Sequence, residues 1–435
     1  MDKRLPRVLV TTVNVWQDKG GVRTLPEFFS SWDKDKVAQI YTKAGLPQTS
    51  VCDRFFRINE NAVLKSVFRK SVSTSSVVEN TKGELTSSES RELKEEQKRY
   101  SRKHSMLMSL MREMVWLMGK WKTKELDEFI ENYDPELLFV PVYPLVYMAR
   151  LQLYIIKKTK KPVVCYLSDD NYSYKTCGLN PLAYIHRFWL RKKVKKIMKQ
   201  CHKLFVIAPK QKEEYDRIFK TDSLILTRAV DFSADAESNT TPEYPLRMVY
   251  TGKLGIGRDR TVAEVAKAVS EINRDKERIR FEVYSTDTPK GELERLLSEG
   301  GNRFCGSVTA DKVEEIQKAS DITLFAEALR GRHKNAARLS FSTKLTDYFK
   351  SGACVFAVGC KDIAPMDYLI KEDAAICATN REEIKEKLYA LCDDPQKVSE
   401  YGRKARECGM RNHSREKITA LFRDTLTEVS GINND

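Results

Sequence analysis

The most constraining stretch of the 435-residue chain is 341–359, FSTKLTDYFKSGACVFAVG. Ser342 or Thr343 suits a helix cap, where a side-chain oxygen accepts from a free N–H. Leu345, Tyr348 and Phe349 fall at helical spacing and predict one apolar face. Gly352 ends the helix where a left-handed residue is wanted. Residues 354–358 are then wholly apolar, as a central parallel strand requires. A loop, a helix, a Gly turn and a buried strand make one repeat of an α/β sheet. Lys344 and Asp347 stand three apart and share a face at the helix start. Free N–H groups, a hydroxyl and a lysine suit an anion, and a carboxylate one turn on suits a pair of sugar hydroxyls. A nucleotide diphosphate and its ribose ask for that set. An ordinary amphipathic helix with a solvated Lys–Asp pair has the same pattern, so the rest of the chain must decide.

The length exceeds what one core usually fills, so two domains are expected. Hydrophobic content of 41% and charged content of 31% describe a soluble globular enzyme. The net charge of +15 asks for a polyanionic partner: nucleic acid, an anionic membrane face or phosphate-bearing substrates. No aromatic-basic motif of the RNA-binding kind occurs, which sets nucleic acid aside. The ten cysteines include no Cys-x-x-Cys pair, and several lie in apolar runs, so a reducing compartment is expected. The apolar run at 7–15 is a strand rather than a signal peptide, and no run approaches the roughly 20 residues of a membrane span.

Strands and helices alternate along both halves. In the first, the strand at 7–15 leads through Lys19-Gly20-Gly21-Val22 to a helix start, where backbone N–H groups can approach a ligand or simply turn. Residues 61–103 are rich in Ser, Lys and Glu and read as a mobile insertion. Met106–Trp121, rich in Met and Leu, suits either a membrane interface or a core helix with Met filling gaps. The strand at 162–167 ends in Ser168-Asp169-Asp170-Asn171. Asp169 and Asp170 there suit a base, a charge stabiliser or a hydroxyl binder, and equally an Asx turn. The helix at 183–203 is strongly basic, which suits either anionic lipid or a solvated face. A polar, Pro-ending linker at 233–246 divides the halves. After it, the strand at 247–250 runs into Thr251-Gly252-Lys253-Leu254-Gly255-Ile256-Gly257-Arg258. Lys253 and Arg258 are groups a pyrophosphate needs. Thr261–Glu264 fits a capping box.

Taken together, these residues resemble a bacterial GT-B glycosyltransferase, similar to the large retaining family 4. The likeness runs along almost the whole chain. Its carriers are Gly20-Gly21-Val22-Arg23, YLSDDNYSY at 166–174, VIAPKQKEEYDRIF at 206–219, YTGKLGIGR at 250–258, FCGSV at 304–308, ASDITLF at 319–325, and STKLTDYFKSGACVFAV at 342–358. The resemblance implies an α/β fold of two doubly wound Rossmann-like domains facing across a cleft. The acceptor-side domain is 1–232 and the nucleotide-sugar domain 247–410. The helix at 411–435 is expected to pack back on the first domain through Ile418, Leu421, Phe422 and Leu426. Carried over by position, Gly20 and Gly21 lie near the donor phosphates and the acceptor. Lys253 and Arg258 bind the pyrophosphate, Ser342, Thr343 and Lys344 hold phosphate at the helix start, and Asp347 binds the ribose. The chain departs from the family where the first of two paired acids belongs, two turns before Asp347. Leu339 and Ser340 stand there, and Glu327 from the preceding strand end is the substitute.

The implied activity is sugar transfer from a nucleotide-sugar to a lipid-linked or glycan acceptor in polysaccharide biosynthesis. The expected place is the cytoplasm, peripheral at the inner face of the cell membrane with its anionic surface. Basic residues and a helix dipole, rather than a metal or other cofactor, are expected to carry the leaving diphosphate. The competing readings are a sugar-nucleotide epimerase on the same fold and a non-catalytic partner subunit. A phosphorylase would need greater length and a cofactor-bearing lysine context.

Overall fold

The computed structural model describes residues 4–18, 24–80, 105–233 and 242–432, without the side chain of Arg332. Gly20, Gly21 and residues 81–103 lie outside the described residues. The chain forms two compact units. One comprises Met1–Val206, Glu214–Leu226 and Thr419–Asp435, and the other Ile207–Glu213 and Thr227–Ile418.

The first unit holds an eight-stranded sheet. Its strands are β1 (Val8–Thr12), β2 (Val37–Tyr41), β3 (Arg54–Ile58), β4 (Ser75–Val78), β5 (Leu137–Pro141), β6 (Val163–Leu167), β7 (Lys203–Val206) and β8 (Leu224–Ile225). They lie in the order β4-β3-β2-β1-β5-β6-β7-β8. Every pairing is parallel except β3 with β4. Every residue of β1, β2, β5 and β6 is buried, which explains their mostly apolar runs.

The mobile insertion expected from residue 61 is corrected in its first part. Glu60–Ser66 is a helix whose N-cap, Asn59, accepts from Ala62 N at 3.1 Å. β4 then closes the sheet, with Phe55 opposite Val78. Its polar composition suits an edge. Ser75 points inward and its hydroxyl lies 2.8 Å from that of Thr123, while Val77 is exposed.

The last helix, Arg415–Ser430, joins this unit from Thr419 onward. Phe422 is wholly buried. Its ring lies 5.0 Å from Phe29, 5.3 Å from Phe139, 5.4 Å from Phe28 and 5.5 Å from Trp32. Most of these contacts are edge-on, the favourable arrangement for aromatic pairs. Phe422→Ala is therefore expected to cost about 3–5 kcal/mol, because so ringed a cavity collapses poorly. Chemical denaturation of wild type and variant checks this, and a loss under about 1 kcal/mol would show that the ring cluster is not part of the core.

The second unit is a six-stranded, wholly parallel sheet. Its strands are β9 (Leu246–Thr251), β10 (Ile279–Tyr284), β11 (Asn302–Gly306), β12 (Ile322–Ala326), β13 (Cys354–Val358) and β14 (Ile376–Ala378). The order is β11-β10-β9-β12-β13-β14. Val262, Val265 and Val269 of the helix Arg258–Ile272 pack with Met248, Phe281 and Phe356. Leu345, Tyr348 and Phe349 pack with Val355, Ala357 and Leu369. Strand order reverses between β9 and β12, and ligands of open α/β sheets bind beyond the carboxyl ends of strands at such a switch point. The loops leaving β9 and β12 there begin with Gly252-Lys253 and with Glu327.

The capping box expected at Thr261–Glu264 does not form. The helix starts one turn earlier at Arg258, with Gly257 as N-cap at φ 82°. Thr261 Oγ1 instead donates to Glu327 O at 2.8 Å. Among the described residues no helix is long and apolar enough to cross a membrane.

Candidate functional site

At the switch point of the second unit, three loops bring Lys253, Arg258, Glu327 and Lys344 into electrostatic reach of one another. The loop after β9 is fixed from both ends. Tyr250 Oη donates to Lys253 O at 2.6 Å, and Leu254 N donates to Asp287 Oδ2 at 2.8 Å. Gly252 has φ 152°, and a β-carbon there would meet Lys344 Nζ at 1.8 Å. The positive φ is what requires the glycine, and its bare α-carbon lets the lysine cross directly over it. The same ammonium lies 5.2 Å from the centre of the Tyr250 ring.

Glu327 continues β12, its N–H donating to Val358 O at 2.9 Å, and its side chain is buried. It takes a two-pronged bond from Arg258, Nε to Oε2 at 3.1 Å and Nη2 to Oε1 at 2.7 Å. Burial works against the Arg258 charge, and the Glu327 bonds outweigh it, so the guanidinium pKa sits above its ordinary value. Glu327 therefore enters the site through Arg258. The strand end, rather than the helix register counted back from Asp347, places it there.

Among the described residues no carboxylate is bonded to Lys344. Burial, then Arg258, push its pKa down to about 8, with Lys253 adding to the fall and Glu327 opposing it. A bound polyanion reverses that balance. Below pH 8 the ammonium is charged and ready for phosphate. Above pH 8 the empty site loses the charge, so binding must take up a proton. Affinity for a nucleoside diphosphate is expected to be level near pH 7 and to weaken by up to about tenfold per pH unit above 8. Titrations from pH 6.5 to 9.5 check this, and a flat profile would remove Lys344 from the phosphate.

The helix Thr343–Ser351 starts beside this cluster. Ser342 is its N-cap but makes no side-chain cap bond, contrary to the capping expected of Ser342 or Thr343. Its hydroxyl and the N–H groups of the first turn are suited to an anion. Asp347, expected on the ribose, has Oδ1 at 2.6 Å from Arg228 Nη1. Burial raises its carboxyl pKa and Arg228 opposes the rise.

The basic loop after Glu327 folds over the Gly257 turn. A β-carbon on Gly257 would lie 3.1 Å from Ala328 Cβ and 3.3 Å from His333 Cβ. Arg330, Arg332, His333, Lys334 and Arg338 make this loop cationic. The close glycine contact is what shows where it rests, and two chain-distant segments must be built before that contact exists.

In the first unit, Asp169 and Asp170 follow β6 at its carboxyl end. Asp170 is buried and accepts from Ser173 N at 2.9 Å, from Tyr215 Oη at 3.1 Å and from Ser173 Oγ. That is the Asx-turn alternative, and it leaves both Asp170 oxygens hydrogen-bonded. Its own carbonyl accepts from Arg187 Nη1 at 3.0 Å. Asp169 is exposed, and Ser168 Oγ donates to its Oδ2 at 3.2 Å. Gly20 and Gly21 lie outside the described residues.

Two parallel α/β units define a GT-B glycosyltransferase fold. No family model matches the chain, and no curated protein matches it. Solved structures do, over nearly the full length. A sucrose-phosphate synthase from Thermosynechococcus elongatus is 12% identical with a TM-score of 0.62, covering 99% of this chain and 100% of that one. Anabaena HepE in complex with UDP is 11% identical with a TM-score of 0.61, covering 97% and 100%. WaaG, a glycosyltransferase involved in lipopolysaccharide biosynthesis, is 12% identical with a TM-score of 0.56, covering 98% and 100%. At these identities the likeness is one of fold.

Proposed function

We propose that this chain is a glycosyltransferase, similar to the retaining family 4. It moves a sugar from a nucleotide-sugar to a lipid-linked or glycan acceptor in polysaccharide biosynthesis, at the cytoplasmic face of a membrane. The observation that carries the reading is Lys344, laid across Gly252 beside the Arg258–Glu327 pair at a helix start. A lysine pushed down to about 8 with no carboxylate of its own is poorly placed unless an anion joins it. UDP is the first donor nucleotide to test, since it is the ligand named for Anabaena HepE.

Transfer develops positive charge at the anomeric carbon and negative charge on the departing diphosphate. In this reading Lys344, Arg258, Lys253 and the first-turn N–H groups meet the second charge, which grows as the bond breaks. Those groups are fixed before the donor arrives, so little reorganisation is left for the reaction step. The Ser342 hydroxyl and Thr343 complete the phosphate end. With the diphosphate so matched, transfer is expected to proceed without a divalent cation. Asp169 is the remaining carboxylate candidate on the acceptor side.

The test is release of nucleoside diphosphate from a panel of nucleotide-sugars, with and without a chelator. Release that survives the chelator, with the anomeric configuration kept in the product, supports the reading. Interconversion of the donor sugar without release would establish the epimerase. Binding without either reaction would establish the non-catalytic subunit, a reading that the Arg228 bond to Asp347 favours.

A further inference from the structure

The first unit carries a second cationic site, on the side of the helices Met106–Met118, Val146–Thr159 and Pro181–Met198. They enclose a cavity of about 280 Å³ whose lining includes Arg150, Lys192, Lys193 and Lys196. Met114, Leu117 and Trp189 form its apolar wall, and Glu113 its floor. Glu113 is buried; its Oε1 accepts from Val146 N at 2.8 Å with His186 Nε2 at 3.5 Å, while its Oε2 has no hydrogen-bond partner among the described residues. Four cations thus face a single carboxylate. Arg150 Nη1 is buried and has no hydrogen-bond partner among the described residues, a costly state for a guanidinium donor. Burial and the neighbouring Arg150 and Lys196 all lower the Lys193 pKa. The site is short of an anion.

The surface around the cavity is apolar in an ordered way. On one helix Leu107, Met108, Met111 and Met118 are exposed, while Trp116 is buried. On the other, Tyr184, Ile185 and Phe188 are exposed, while Leu190, Val194 and Ile197 are buried. Large apolar side chains around a basic pocket match a lipid leaflet, whose anionic headgroups lie just above its acyl chains. A tryptophan at the rim suits that boundary.

We propose that this face docks on a membrane through anionic phospholipid. One headgroup phosphate is seated among Arg150, Lys193 and Lys196, and the exposed Met, Leu and aromatic side chains enter the interface around it. The proposal stands apart from the donor site, since it uses residues of the first unit only.

The experiment is co-sedimentation of the full chain with vesicles of phosphatidylcholine, alone or mixed with phosphatidylglycerol. The wild type is expected to bind the mixed vesicles and not the neutral ones. The triple variant Lys192→Gln, Lys193→Gln, Lys196→Gln is expected to lose on the order of a hundredfold in affinity. Met111→Ser with Phe188→Ser, both at exposed positions, is expected to lose binding at unchanged charge. A control triple of exposed lysines, Lys276→Gln, Lys397→Gln and Lys417→Gln, is expected to bind like wild type. Unchanged donor binding by all of these separates the result from any failure of the donor reading. The proposal is overturned if wild type ignores the mixed vesicles or if the control triple loses as much as the pocket triple. It is also overturned if the exposed face proves to hold two copies together, seen as a dimer that the Met111 and Phe188 changes dissolve.

Discussion

Lys344→Ala should weaken binding of a nucleoside diphosphate on the order of a hundredfold, enough to erase any donor-induced rise in melting temperature. Among the described residues no carboxylate is bonded to this ammonium, so its interactions remain available to phosphate. Arg258 already shares its charge with Glu327 through bonds of 3.1 and 2.7 Å. The same substitution is expected to leave the fold intact and to raise its stability at neutral pH. The sign follows from the lysine's lowered pKa. Burial disfavours its charged form, so the folded state binds that proton less tightly than the unfolded chain does. Stability from this group therefore rises as pH climbs through about 8 toward the ordinary lysine value, and it is lowest where the lysine is charged. Lys344→Met removes that cost and keeps the stem's packing. Loss of binding together with a higher melting temperature distinguishes a ligand-holding lysine from a structural one. A variant that bound as wild type does would show that the phosphate lies elsewhere.

Glu327→Ala should cost about 3–5 kcal/mol of stability, as much as Phe422→Ala. The carboxylate is buried and offsets Arg258 directly and Lys344 at longer range. Without it three cations surround the end of β12 with no counter-charge. The expected signature is a large drop in melting temperature that a nucleoside diphosphate partly restores, because the ligand supplies the missing negative charge. Glu327→Gln keeps the shape and loses the charge, so it should fall between the two. Wild-type melting in Glu327→Ala would mean that Arg258 finds another partner.

Much of this was legible in the sequence because local patterns and the final fold agree. Residues 354–358 are apolar throughout, and they form a strand buried at every position. Leu345, Tyr348 and Phe349 share a helical face, and all three are in the core. Lys344 stood out from helix-start chemistry, and its place on Gly252 gives that glycine its reason. Features that depend on distant pairing were hidden. β4 is polar and short, and only its pairing with β3 makes it a strand. Asp170 looks like a ligand group from its place after β6, yet Ser173 and Tyr215 consume its oxygens. Asp347 reads as a ribose partner, and Arg228, 119 residues away in sequence, reaches it first. The Thr261–Glu264 pattern fits a cap, but the backbone turns at Gly257 and gives Thr261 to the Glu327 carbonyl. Periodicity and composition report what lies within a few residues, and each of these four cases involves a partner farther off, Asp170 having Tyr215 as well as its neighbour Ser173.

Calorimetric titration of UDP at pH 8, in two buffers of different ionisation enthalpy, tests the central claim most directly. The account predicts binding with uptake of about half a proton, falling toward none near pH 6.5 and absent in Lys344→Ala. Binding with no proton uptake at pH 8, or with the same uptake in Lys344→Ala, would contradict a diphosphate seated on Lys344.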